Sequence, residues 1–137
     1  MLRKGTLYRL RVEGGAMRLF LHLIYEYRKG LRKLVLYTTR KSIEDPIRAK
    51  LVQHSIPHVI HDIGRGKVNV FFGDADCVEV VRMIGKHNVA RYTDEEDFIL
   101  GSMLGYDIVQ QCRRYVKRRR RPNATEKHGP PRTAALT

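Results

Sequence analysis

The sequence predicts a mixed α/β fold, an α+β two-layer sandwich in which helices pack on one face of a three-stranded antiparallel sheet. Three short apolar runs have strand character, and a Gly-Arg-Gly turn separates the last two. Amphipathic helical patterns precede, separate and follow these runs, which gives the order α-β-α-β-β-α-α around a β-α-β-β-α core. With 137 residues, of which 42% are hydrophobic, the chain can form one domain with a modest core.

The first half of the chain supplies two helices and one strand. Residues 17–29 predict a helix, because apolar residues occur at 19, 20, 23, 24 and 27 and Gly30 is a natural helix end. Apolar residues also alternate over 19–27, so a strand is the competing interpretation. Residues 32–38, RKLVLYT, predict the first strand. Ser42 then opens a helix that Pro57 ends.

The second half of the chain predicts a hairpin followed by two helices. The runs HVIHDI at 58–63 and KVNVFF at 67–72 flank the glycine turn, and a right-handed crossover places the second run in the centre of the sheet. Asp74 or Asp76 caps a helix that extends to about residue 86. Thr93 and Glu96 form a capping box that opens a long helix to residue 116. One stripe of this helix is expected to face the core: Phe98, Ser102, Gly105, Val109, Cys112 and Val116.

The net charge of +13 lies mainly at the two ends of the chain. Residues 1–16 are expected to be a disordered or translated leader, with Met17 as the native start, and intact mass would test this. Residues 17–116 form the compact domain, and residues 117–137 are expected to be a basic disordered tail. No secretion signal, membrane-length apolar run or disulfide framework is visible, so a cytoplasmic protein without membrane contact is expected.

No arrangement of residues predicts catalysis, a cofactor or a metal site. Cys77 lies in the first turn of a predicted helix, where a thiolate is favoured, but Asp74 and Asp76 oppose it, and a core cysteine is the preferred interpretation. His58 and His61 point to opposite faces of a strand, so they do not form a cluster with His54. A non-catalytic protein is therefore favoured over an enzyme.

A ligand cleft is the alternative functional interpretation. Gly101 and Gly105 weaken a helix, which suggests that another group approaches the backbone closely there. Tight helix packing explains them most simply, and a homodimer seam or the edge of a cleft is second. The cleft would lie beside Gly101–Tyr106, with His22, Tyr25 or Cys77 nearby. The candidate residues for the cleft or for close packing are His22, Tyr25, Gly101, Gly105 and Tyr106.

Two basic clusters predict interaction with acidic partners. One surrounds Gly30 and could dock an acidic protein. It consists of Arg28, Lys29, Arg32 and Lys33. The other could bind nucleic acid, although no aromatic residues interleave for base stacking and a solvated helix end is the simpler account. It consists of Lys117, Arg118, Arg119, Arg120 and Arg121.

Three separated blocks resemble a family of small bacterial α/β proteins, the domain of unknown function numbered 2023. The blocks are FLHLIYEYRKGLRKLVLYT at 20–38, KVNVFFG at 67–73 and EEDFILGSMLGYD at 95–107, with the following QC and RY. The resemblance covers residues 17–116 and implies no catalytic residue, because the activity of the family is unassigned. It also implies a neighbouring gene for flavodoxin, and hence an acidic flavodoxin partner in electron transfer. The basic tail departs from the family pattern.

Overall fold

The computed structural model describes the backbone of residues 4–122 and the side chains of residues 14–122. The described part of the chain contains five α-helices and three strands, with short 3-10 helices at Lys41–Ile43 and Val89–Arg91. The elements are α1 (Lys4–Arg28), β1 (Leu34–Arg40), α2 (Glu44–Gln53), β2 (His58–Gly64), β3 (Lys67–Gly73), α3 (Ala75–Ile84), α4 (Asp94–Met103) and α5 (Ile108–Arg120).

The sheet has the order β1-β3-β2, and both pairs of neighbours are antiparallel. The mixed α/β class, the three antiparallel strands and the central position of β3 are therefore confirmed. Arg65 and Gly66 turn the β2–β3 hairpin with φ values of 56° and 70°. Positive φ at both central residues is the conformation that matches the twist of a tight hairpin.

One core lies between the sheet and the helices α1 and α2. Phe20 of α1 and Ile47 of α2 are fully buried against the side chains that β3 projects to this face, including Phe72. The Tyr37 hydroxyl donates to the Ala16 carbonyl over 2.9 Å and holds α1 on the sheet. The helical interpretation of residues 17–29 is correct, because α1 extends to Arg28. Leu23 and Tyr27 pack against the same core as Phe20 and Ile24, and a strand would not place odd and even positions on one side.

A second core covers the opposite face of the sheet, where only one face was expected to carry helices. Phe71 of β3 packs there with Val78 and Val81 of α3 and with Leu100 of α4. Because successive residues of β3 point to opposite faces, its apolar run serves both cores. The expectation of helices on a single face is thus corrected, and three layers of structure result.

Helical structure extends beyond residues 17–116 at both ends. The helix α1 begins at Lys4, so residues 4–16 are helical and not a disordered leader. Good helix formers such as Leu, Arg and Glu continue the helix across this segment, despite Gly14 and Gly15. The native start at Met17 stays a prediction. Residues 1–3 and 123–137, which include most of the expected tail, lie outside the described residues.

The long helix expected over residues 93–116 is two helices. The helix α4 ends at Met103, and Gly105 follows with φ of +83°. This left-handed conformation reverses the chain, and the Asp107 side chain then accepts a hydrogen bond from the Gln110 amide at 2.9 Å to begin α5. The apolar spacing continues across the break by coincidence, which is why the periodicity failed to reveal it.

Candidate functional site

The first basic cluster lies at the turn between α1 and β1, here called the basic turn and defined as residues 28–33. Gly30 has φ of +81° and donates to the Tyr27 carbonyl at 2.9 Å, while Leu31 donates to the Glu26 carbonyl at 3.0 Å. These two bonds close the helix end in the Schellman arrangement. The apolar residue that follows such a glycine usually packs back on its helix, but Leu31 is 70% exposed.

Neighbouring side chains hold the cations of the basic turn in place. Arg32 Nε lies 2.7 Å from Glu26 Oε2, and Arg28 Nη1 donates to His54 Nδ1 over 3.1 Å. Lys29 Nζ lies 5.4 Å from the centre of the Tyr25 ring. Lys33 is exposed. The assignment of Arg28, Lys29, Arg32 and Lys33 to one partner-binding patch stays a prediction. The exposed Leu31 lies among them in the chain, and its exposure was not predicted.

His22 and Tyr25 belong to the neighbourhood of the basic turn. Their rings stack with 6.3 Å between centroids, and His22 Nε2 lies 3.0 Å from Glu26 Oε1. The hydrogen bond from Arg32 is the main cause that lowers the pKa of Glu26. Neither ring lines the cleft beside Gly101, so the expected grouping of His22 and Tyr25 with that cleft is not found. They lie on α1, across the sheet from α4 and α5.

The helices α4 and α5 form an antiparallel hairpin that places Gly101 against Gln111. A Cβ atom at Gly101 would overlap the Gln111 side chain, so the tight packing predicted for this glycine is present. Gly105 has open space around its Cα, and its role is the left-handed turn. Thr93 and Glu96 make both bonds of the predicted capping box, at 3.1 and 2.9 Å.

A cleft of about 950 Å³ runs between this hairpin and the segment that contains the 3-10 helix Val89–Arg91. Leu36 of β1, Tyr92, Leu100 and Leu104 supply apolar surface, and α5 supplies a polar wall. Gly101 and Tyr106, both named from the sequence, line this cleft. Cys77 does not, and Gly105 is not among its lining residues. This space is here called the hairpin cleft. Its α5 wall consists of Gln110, Gln111, Arg114, Lys117, Arg118 and Arg121.

The second basic cluster is the end of α5 and not a disordered tail. Lys117, Arg118, Arg119 and Arg120 are helical, and Arg121 caps the helix. Arg118 Nε lies 3.0 Å from Asp94 Oδ1, an ion pair rather than an aligned hydrogen bond, and its Nη1 lies 3.0 Å from Asp97 Oδ1. The acidic first turn of α4 therefore neutralises part of this cluster, which reduces the charge left for nucleic acid.

Both cysteines are free, and the surroundings of Cys77 disfavour a thiolate. Burial, with Asp74 and Asp76, raises the pKa of Cys77, which packs at the edge of the second core. Cys112 was expected to face the core, but it is exposed. The reason is the break at Gly105, which rotates α5 so that Val109, Cys112 and Val116 point outwards.

A polar row that the sequence analysis missed crosses the second face of the sheet. Thr38 Oγ1 donates to Asn69 Oδ1 over 2.6 Å, and Asn69 pairs in register with His61 of β2. The His61 ring stacks on His87 with 4.1 Å between centroids, and its buried Nδ1 has no hydrogen-bond partner within the described part of the chain. Burial and then the His87 charge lower the pKa of His61. The one available signal was polar residues at matching positions of three strands.

Among the described residues, no three His, Cys, Asp or Glu side chains are placed to hold a metal ion. None of the described helices is both long and apolar enough to cross a bilayer.

Comparison with curated proteins finds no match. A family model described as "Protein of unknown function (DUF2023)" matches residues 18–118, which is well over half of the chain. The chain therefore belongs to the DUF2023 family, whose description assigns no function.

Proposed function

We propose that this protein is a non-catalytic accessory protein that docks an acidic protein partner through the basic turn. The observation that carries the proposal is the 70% exposure of Leu31 amid Arg28, Lys29, Arg32 and Lys33. An apolar anchor with a charged rim is the usual anatomy of a protein interface. The cations would speed the encounter with an acidic surface, and Leu31 would supply apolar burial.

The basic turn has a fixed conformation before binding, which lowers the conformational entropy that is lost when a partner binds. The Schellman bonds fix the backbone of Gly30 and Leu31, and Glu26 holds the Arg32 side chain. Groups that are ordered before binding lose less conformational freedom when a partner arrives. The turn therefore suits a partner whose acidic groups surround a small apolar depression.

We propose flavodoxin as the acidic partner, which gives the protein an accessory role in electron transfer. The support is the family resemblance together with the positive charge of the turn. No described side-chain arrangement supplies a nucleophile with its base, so docking fits the residues better than catalysis. The nucleic-acid alternative is weaker, since Asp94 and Asp97 already engage Arg118.

The test is a binding titration with flavodoxin by isothermal calorimetry in about 20 mM and about 300 mM salt, on either side of the range where exposed charges become screened. We expect binding at low salt that weakens at least about tenfold at high salt, because exposed charges drive it. Lys29→Glu with Lys33→Glu should weaken it about tenfold or more, and so should Leu31→Asp. Arg113→Glu with Arg120→Glu is the charge-matched control, since these residues are exposed on α5.

Two outcomes would contradict the proposal. Absence of binding at low salt would remove flavodoxin as the partner. Equal weakening by the turn variant and by the α5 control would show that net charge, and not the basic turn, determines the interaction.

A further inference from the structure

We propose that the hairpin cleft binds a small organic anion with an apolar body, such as an aromatic or aliphatic carboxylate. This site is separate from the basic turn, and the proposal does not depend on docking. The cleft volume of about 950 Å³ is near the upper end of the range for pockets that hold small ligands, roughly 300–1,000 Å³.

The floor of the cleft calls for an apolar ligand body with one hydrogen-bond acceptor. Leu36, Leu100 and Leu104 line it with aliphatic carbon. The buried Tyr92 also lines it, and the Tyr92 hydroxyl has no hydrogen-bond partner among the described residues. Burial, with the Glu96 charge, raises the pKa of Tyr92, so the hydroxyl remains a donor at neutral pH. A buried hydroxyl normally has a partner, and a ligand oxygen would reach this one after a side-chain movement at the cleft floor, because its oxygen is shielded from solvent.

The cations on the α5 wall of the cleft favour a negatively charged ligand. Four cations and one carboxylate line the cleft. Asp97 pairs with Arg114 and Arg118, while no described carboxylate lies within ion-pair distance of Lys117 or Arg121. The unneutralised charge of the cleft therefore comes from Lys117 and Arg121, which stand at the same wall one helical turn apart.

The two halves of the site together define the ligand class. A purely polar anion, such as inorganic phosphate, would leave the leucine floor in contact with water. A neutral apolar compound would gain nothing from Lys117 and Arg121. An amphiphilic anion satisfies both halves, with its apolar body on the leucines and its head group at the wall.

The experiment compares 2-naphthoate with the neutral 2-naphthamide and with inorganic phosphate, using the full chain. Calorimetry measures affinity, and amide chemical shifts in a two-dimensional NMR spectrum locate the contact. We expect naphthoate to bind at least about tenfold more tightly than either of the other probes, with shifts at residues of α4, α5 and 89–92. Equal binding of the acid and the amide would overturn the proposal, as would absence of naphthoate binding.

Two pairs of variants test the location. Lys117→Glu with Arg121→Glu should weaken naphthoate binding about tenfold, whereas Arg113→Glu with Arg120→Glu, the same charge change outside the cleft, should not. Ala90→Trp should block the cleft, and Ala49→Trp on α2 is its exposed control. Unchanged melting temperatures show that each variant is folded. Equal affinities within either pair would refute the cleft as the binding site.

Discussion

At the scale of single residues, Gly101 and Gly105 show how one sequence signal can have two physical causes. Both glycines suggested close approach to the backbone, and only Gly101 has it, because the Gln111 side chain occupies the space of a Cβ. Gly105 is required for its φ of +83°. Sequence spacing could locate both glycines, but their roles depend on where the helix ends, and this was not visible from periodicity.

The first prediction concerns Gly101. The substitution Gly101→Ala should lower the free energy of unfolding by at most about 1 kcal/mol, because the new methyl group displaces the flexible end of the buried Gln111 side chain. In a Gln111→Ala background the overlap is gone, and the same substitution should become neutral or stabilising, since alanine favours a helix. Urea unfolding of the four proteins in a double-mutant cycle measures the difference. An equal loss in both backgrounds would contradict this contact.

The second prediction concerns His61 and pH. Its pKa is lowered in the folded protein, mainly by burial, from an ordinary value of 6.5. The unfolded chain therefore binds this proton more readily than the folded protein does. The resulting stability is complete above about pH 6.5 and is lost as the pH falls from there to the lowered folded pKa.

Urea unfolding at pH 7.5 and 5.5 measures this effect. The wild-type protein should be less stable at the lower pH, and His61→Phe should show a smaller loss. If His61→Phe keeps the full pH dependence, the buried ring is not its source.

At the scale of elements, the α4–α5 hairpin was half predictable. The Thr93 cap and the acidic first turn follow from local sequence, since capping requires only residues three positions apart. The ion pairs of Arg114 and Arg118 with Asp97 join residues 17 and 21 positions apart. Only the folded hairpin brings these charges together. For the same reason the sequence could suggest a cleft near Gly101 and Tyr106 but not its cationic wall.

The third prediction concerns the cap of α4. Thr93→Ala should cost about 1 kcal/mol, because the Glu96 amide loses its side-chain acceptor. Ser102→Ala is the matched control, since the exposed Ser102 hydroxyl donates only to the Phe98 carbonyl within the same helix. Its change should stay within about 0.5 kcal/mol. Urea unfolding at neutral pH compares the two, and equal costs would show that the cap has no special role.

At the scale of the whole molecule, the strand β3 joins two cores. Phe72 belongs to the core beneath α1 and α2, and Phe71 belongs to the core beneath α3 and α4. The sheet order followed from connection rules, whereas its coverage by helices on both faces did not. The largely apolar run from Val68 to Phe72, interrupted by Asn69, was the available signal, because strands buried on both faces lack regular alternation.

The fourth prediction is that the two cores unfold together. Phe71→Ala and Phe72→Ala should each cost about 3–5 kcal/mol, and each variant should keep a single transition. Far-UV and near-UV circular dichroism should give superimposable melting curves. Separate transitions would indicate that each core is stable without the other.

The central position of β3 also determines which backbone amides exchange their hydrogens with water most slowly. The amides of β3 are bonded to β1 on one edge and β2 on the other, and both of its faces are covered. Local opening of either α1 or the α4–α5 hairpin leaves the bonds to β1 and β2 in place, and the core on the opposite face still covers the strand. Deuterium should therefore enter β3 last, and its rate of entry would report the free energy of global unfolding.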